Sequence, residues 1–78
     1  MFKEILKDLD KAYEKNKKEK EDSWKKINPN ELFDKFDEEL KEFKEAQYMK
    51  DTYQELVDVL LVGMMLAQRI KPKEDYAP

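Results

Sequence analysis

A chain of 78 residues, 45% charged and 40% apolar, makes one small domain near the size at which a single core is only marginally stabilising. One glycine and an excess of Lys and Glu favour long helices, so the expected fold class is all-α. With no Cys or His, one Ser and one Gly, the chain lacks thiol and imidazole nucleophiles, the usual zinc sites, a Ser-His-Asp triad and a phosphate-cradling glycine loop.

In chain order, Phe2, Ile5, Leu6, Leu9, Ala12 and Tyr13 recur at helical spacing and predict a first helix with one apolar stripe. The stripe vanishes over residues 14–22, which read as an exposed helix end or a linker. The lysine-rich stretch at residues 15–20 is broken by Glu19 and followed by Glu21 and Asp22. It therefore reads as a solvated face, and the net charge of −3 argues against a nucleic-acid partner. Trp24 interrupts this polar run, either anchoring it to the core or offering its ring to a ligand.

Asn28, Pro29 and Glu31 supply an N-cap, a first-turn proline and a capping-box acid for a second helix. Leu32, Phe33, Phe36, Leu40 and Phe43 form its stripe, with Glu39 and Glu42 on one flank and Glu38 angled towards solvent. A turn is expected at residues 48–50. Asp51 and Gln54 then suggest a capping box for a third helix reaching about Ile70, ended by Pro72. Beyond Glu55 this helix carries only Asp58 before Arg69 and is apolar on every side, which predicts burial against a second copy. Gly63 within it suggests close approach of another backbone. Residues 1–27 thus form a helix and linker, 28–70 a helical hairpin, and 71–78 an exposed tail.

Two acid pairs carry the chemistry. Glu39 with Glu42, and Glu55 with Asp58, are each spaced i, i+3, and the pairs are symmetric about a point between residues 48 and 49. A hairpin turning there sets Glu39 opposite Asp58 and Glu42 opposite Glu55. Isolated acids on a helix are usually only solvated, but acids retained on an apolar helix need a partner. Four converging carboxylates suit a hard divalent cation, Mg²⁺ or Mn²⁺. No signal segment is evident and the uncharged run at residues 59–67 is too short to span a bilayer, so a soluble cytoplasmic protein is expected.

Glu38-Glu39-Leu40-Lys41-Glu42, followed after twelve residues by Glu55-Leu56-Val57-Asp58, resembles the E-E-x-x-E … E-x-x-D pattern of the MazG-like nucleoside triphosphate pyrophosphohydrolases. These are relatives of the dimeric dUTPases and phosphoribosyl-ATP pyrophosphohydrolases. The resemblance covers about residues 28 to 70, and Asp22-Ser23-Trp24 is loosely similar to a segment of some members. It implies Mg²⁺-dependent conversion of an NTP or dNTP to the monophosphate and pyrophosphate, in a homodimer or dimer of dimers. Carried over, Glu39, Glu42, Glu55 and Asp58 are metal ligands, and Glu38 either supports those ligands from behind or is the base that orients the attacking water. Trp24 is a candidate for base stacking. Arg69, about 16 Å along the axis from Asp58, is a candidate substrate contact in a neighbouring subunit or else a helix-terminal surface residue. The competing expectation is a non-catalytic helical dimerisation module with a structural cation or solvated acids.

Overall fold

The computed structural model describes residues 1–46 and 51–72. Among them are three α-helices and no strand: α1 (Lys3–Lys20), α2 (Pro29–Glu45) and α3 (Thr52–Ile70), with one 3-10 turn at Ser23–Lys25. The all-α expectation holds. The expected turn at residues 48–50 lies outside the described residues, as does the tail beyond residue 72.

The first helix continues to Lys20, so the charged segment is an exposed helix end. Lys17, Lys18 and Lys20 in its last turn complement the negative end of the helix dipole. Glu21 and Asp22 then both take left-handed backbone conformations, φ 49° and 58°, uncommon for residues with a Cβ. Two contacts hold this bend. The Glu21 N–H donates to the Lys17 carbonyl, and the Tyr13 hydroxyl donates to Asp22 Oδ1 at 2.5 Å. That bond holds the Asp22 carboxyl below the ordinary aspartate value.

Asn28 caps α2 as expected, its side chain accepting from the Asn30 N–H at 2.8 Å with Pro29 in the first turn. At α3 the expected capping box does not form. Asp51 occupies the N-cap position, but its side chain makes no capping bond, and the Gln54 amide donates instead to Asp58 Oδ1 at 3.2 Å. The i, i+4 partner on its own helix competes successfully for Gln54. The Thr52 hydroxyl donates to the Ala46 carbonyl, tying together the two ends of the interhelical connection.

The α2/α3 hairpin is antiparallel: Arg69 at the end of α3 reaches Ile27 just before α2, while Glu55 in the first turn of α3 meets Glu42 near the end of α2. Leu32 and Val57 are fully buried in the core, with Leu9 of α1 and Leu61, Met65 and Leu66 of α3 around them. Truncating a buried leucine such as Leu32 to alanine costs about 2–5 kcal/mol. Trp24, Ile27 and Phe36 pack against this cluster from its edge.

Within one chain α3 is not buried all round. Leu56, Leu60 and Met64 are 36%, 40% and 53% exposed and fall on a single face. Among the described residues of a single chain, the expected close backbone approach at Gly63 is also absent. A Cβ there would meet the Phe36 ring at 3.5 Å, an ordinary contact. No described helix is long and apolar enough to cross a membrane.

Candidate active site

The antiparallel hairpin brings acids from α2 and α3 together near its connected end. One carboxylate oxygen from each of Glu39, Glu42 and Glu55 lies within 4.8 Å of the others. Glu42 is exposed, whereas Glu39 and Glu55 are partly buried. Glu55 Oε2 is buried without a hydrogen-bond partner.

Electrostatics follow the symmetric register. Desolvation first, then the charges of Glu42 and Asp58, hold the Glu39 carboxyl above the ordinary glutamate value, with Lys35 opposing. Glu55 is raised by desolvation, then by Asp58, Glu42 and Asp51. Asp58 therefore belongs to the same electrostatic unit, although its carboxylate does not complete the tight group and is held by Gln54. Glu38 is exposed and lies outside the three-acid group.

Glu39 and Asp58 also line a cavity of about 510 Å³ between the three helices. Its α1 wall carries Lys11, Lys15 and Lys20 alongside Asp8 and Glu19, and Lys35 of α2 adds a fourth ammonium. Tyr53, at the rim, donates to Asp8 Oδ2 at 2.6 Å and links α3 to α1. The lysine wall was not legible in the sequence, where residues 15–20 read as a solvated face. The Gln54–Asp58 bond had a signal, since the two are spaced i, i+4 on one helix.

Trp24 and Arg69 lie away from the acid group and together. The Arg69 guanidinium donates to the carbonyls of Trp24 at 2.7 Å and Ile27 at 2.8 Å, fastening the 3-10 turn to the end of α3. The Trp24 ring packs against the core, with the Lys25 ammonium 5.7 Å from its centroid. It lines a separate cavity of about 230 Å³ with Tyr13 and Met64.

The donor set is oxygen-only, tightly clustered, and includes one buried oxygen in want of a partner. Each feature fits Mg²⁺ or Mn²⁺, which prefer carboxylate and water ligands. Bare, the cluster is a set of mutually repelling charges, which a divalent cation would neutralise.

No curated protein and no solved structure matches the chain. The family model for phosphoribosyl-ATP pyrophosphohydrolase matches residues 6–77. That family lies in the same all-α superfamily as the MazG-like enzymes without being MazG itself, so the match bears out the broader resemblance. The match favours an enzyme over a non-catalytic helical module: the chain is a pyrophosphohydrolase, cleaving a phosphoanhydride bond of a nucleotide-like substrate. It belongs to the phosphoribosyl-ATP pyrophosphohydrolase family.

Proposed function

We propose that the chain is a Mg²⁺-dependent pyrophosphohydrolase that cleaves between the α- and β-phosphates of a nucleoside triphosphate group. The products are the monophosphate and pyrophosphate. Phosphoribosyl-ATP is the substrate that the family suggests, and simple NTPs or dNTPs are the wider range suggested by the MazG-like pattern. The observation that carries the reading is the convergence of Glu39, Glu42 and Glu55 within 4.8 Å around a buried, unpartnered Glu55 oxygen.

Glu39, Glu42, Glu55 and Asp58 would hold the cation, with the Gln54 amide fixing the Asp58 carboxylate. A Mg²⁺ ion held there would supply charge neutralisation for the polyphosphate and for the leaving pyrophosphate. Glu38, exposed beside the cluster, accepts a hydrogen bond from the attacking water and takes its proton. Trp24 and Arg69 lie away from the acid group, and their contacts, which fasten the 3-10 turn to the end of α3, support a structural role more than direct substrate binding.

The apolar face of Leu56, Leu60 and Met64 supports self-association as a homodimer or a dimer of dimers. A cytoplasmic nucleotide pool, with no nucleic acid or membrane partner, completes the reading. Release of pyrophosphate from phosphoribosyl-ATP and a panel of NTPs and dNTPs, with and without Mg²⁺, tests it. Glu38→Gln is expected to lower kcat while leaving Mg²⁺ affinity close to wild type. Turnover unaffected by chelator contradicts the metal role.

A further inference from the structure

Two lysines from different helices meet on the wall of the cavity that holds Glu39 and Asp58. Lys20 closes α1, Lys35 lies one turn before Glu39 on α2, and both line the cavity of about 510 Å³. The chain has 19 acids with which they could pair. Among the described residues, however, the ion pair that forms is Lys25 with Asp22 at 3.7 Å, and neither Lys20 nor Lys35 has one. Contact with Lys20, then burial, holds the Lys35 amine below the ordinary lysine value, against the opposing pull of Glu39 and Glu38. Lys11 and Lys15 line the same α1 wall, interleaved with Asp8, which accepts from Tyr53, and Glu19, so the excess of ammonium groups is concentrated at Lys20 and Lys35.

Ammonium groups facing each other in a partly buried cleft repel unless an anion lies between them. The cavity thus has two chemistries: a carboxylate end suited to a divalent cation, and an ammonium wall suited to an anion. A polyphosphate carries the complement of both, since some of its oxygens can bind the cation while others accept from lysine. We propose that Lys20 and Lys35 form a two-ammonium grip for a phosphate of the substrate, on the side of the cavity away from the Glu42–Glu55 contact. The proposal rests on the reading of the acid cluster as a metal-dependent pyrophosphohydrolase site and adds a direction to it. On that reading the phosphate chain would run from the acid end of the cavity towards α1.

Isothermal titration of the full chain with inorganic pyrophosphate, with and without Mg²⁺, tests the grip. Lys20→Gln and Lys35→Gln are each expected to weaken pyrophosphate binding roughly tenfold, as loss of one charge-assisted contact does. The double variant should be weaker still, and Lys3→Gln, outside the cavity, unchanged. The melting temperature of each Lys20 or Lys35 variant without ligand should equal or exceed that of wild type, because repulsion is relieved. The Mg²⁺-induced rise in melting temperature should persist. Wild-type pyrophosphate affinity in the double variant overturns the grip, and so does a lowered melting temperature in both single variants, which would make the lysines structural. The two readings separate cleanly. Lysine-dependent pyrophosphate binding without nucleotide turnover leaves the grip standing and removes the activity. Turnover with unchanged KM in the double variant does the reverse.

Discussion

Glu55→Gln should produce two effects of opposite sign in the same protein. Glu55 is within 4.8 Å of both Glu39 and Glu42, so at neutral pH its charge enters two repulsive pairs. At that separation, and at the high-dielectric limit appropriate to a partly exposed site, each pair costs about 1 kcal/mol. Removing the charge while keeping the shape should stabilise the metal-free protein by about 1–2 kcal/mol, or roughly 5–10 °C in Tm for a domain of this size. Wild type should be stabilised by Mg²⁺ instead: about 2.7 kcal/mol at a concentration one hundred times Kd, or roughly 10–20 °C. The variant should lose most of that response. The pH dependence follows from the raised Glu39 and Glu55 carboxyls. A carboxyl whose pKa is higher in the folded state than in the unfolded one destabilises the fold fully above the folded value. The penalty is relieved as pH falls through that value towards the ordinary 4.5. Metal-free wild type should therefore gain stability on mild acidification, and Glu55→Gln should flatten that gain. Differential scanning calorimetry at fixed protein concentration, with EDTA or Mg²⁺, reads all three effects. A variant less stable than wild type in EDTA, yet equally responsive to Mg²⁺, would refute the reasoning.

Gly63→Ala should raise stability by about 1 kcal/mol from helix propensity, since its Cβ meets only the Phe36 ring at ordinary distance; a loss in urea denaturation would mean that a second chain's backbone packs there. Arg69→Ala removes two hydrogen bonds to the carbonyls of Trp24 and Ile27 and should cost about 1.5–3 kcal/mol with a change in Trp24 fluorescence. Unchanged stability with a raised KM would instead put Arg69 on the substrate. Leu60→Glu places a charge in the exposed face of α3 and should shift sedimentation towards monomer; an unaltered distribution would place the interface elsewhere.

Local periodicity carried most of the fold because each helix is marked by its own stripe and α2 by a cap that forms as read, Asn28 with Pro29. The acid cluster was legible for a geometric reason. Spacing of i, i+3 fixes a helix face, and the symmetric placement of the pairs about the connection fixes their register across the hairpin. Other features depend on residues far apart in sequence. Arg69 meets Trp24 and Ile27, and Lys20 meets Lys35, only after the chain has doubled back, so no local pattern announces either contact. At the start of α3, Asp51 and Gln54 satisfy the capping-box pattern, but Asp58 offers Gln54 a charged acceptor one turn away. The exposed face of α3 shows the converse limit. Its apolar residues predict burial on every side, whereas within a single chain Leu56, Leu60 and Met64 stay exposed because one chain has too little surface to cover them.

The most direct test of the central claim is the identity of the products. Incubation with Mg²⁺ and phosphoribosyl-ATP, or ATP as the simpler substrate, followed by phosphorus NMR, should show a monophosphate and intact pyrophosphate in equal amounts. Glu42→Gln should abolish the reaction. A diphosphate with inorganic phosphate, or undiminished turnover in Glu42→Gln, would contradict the account.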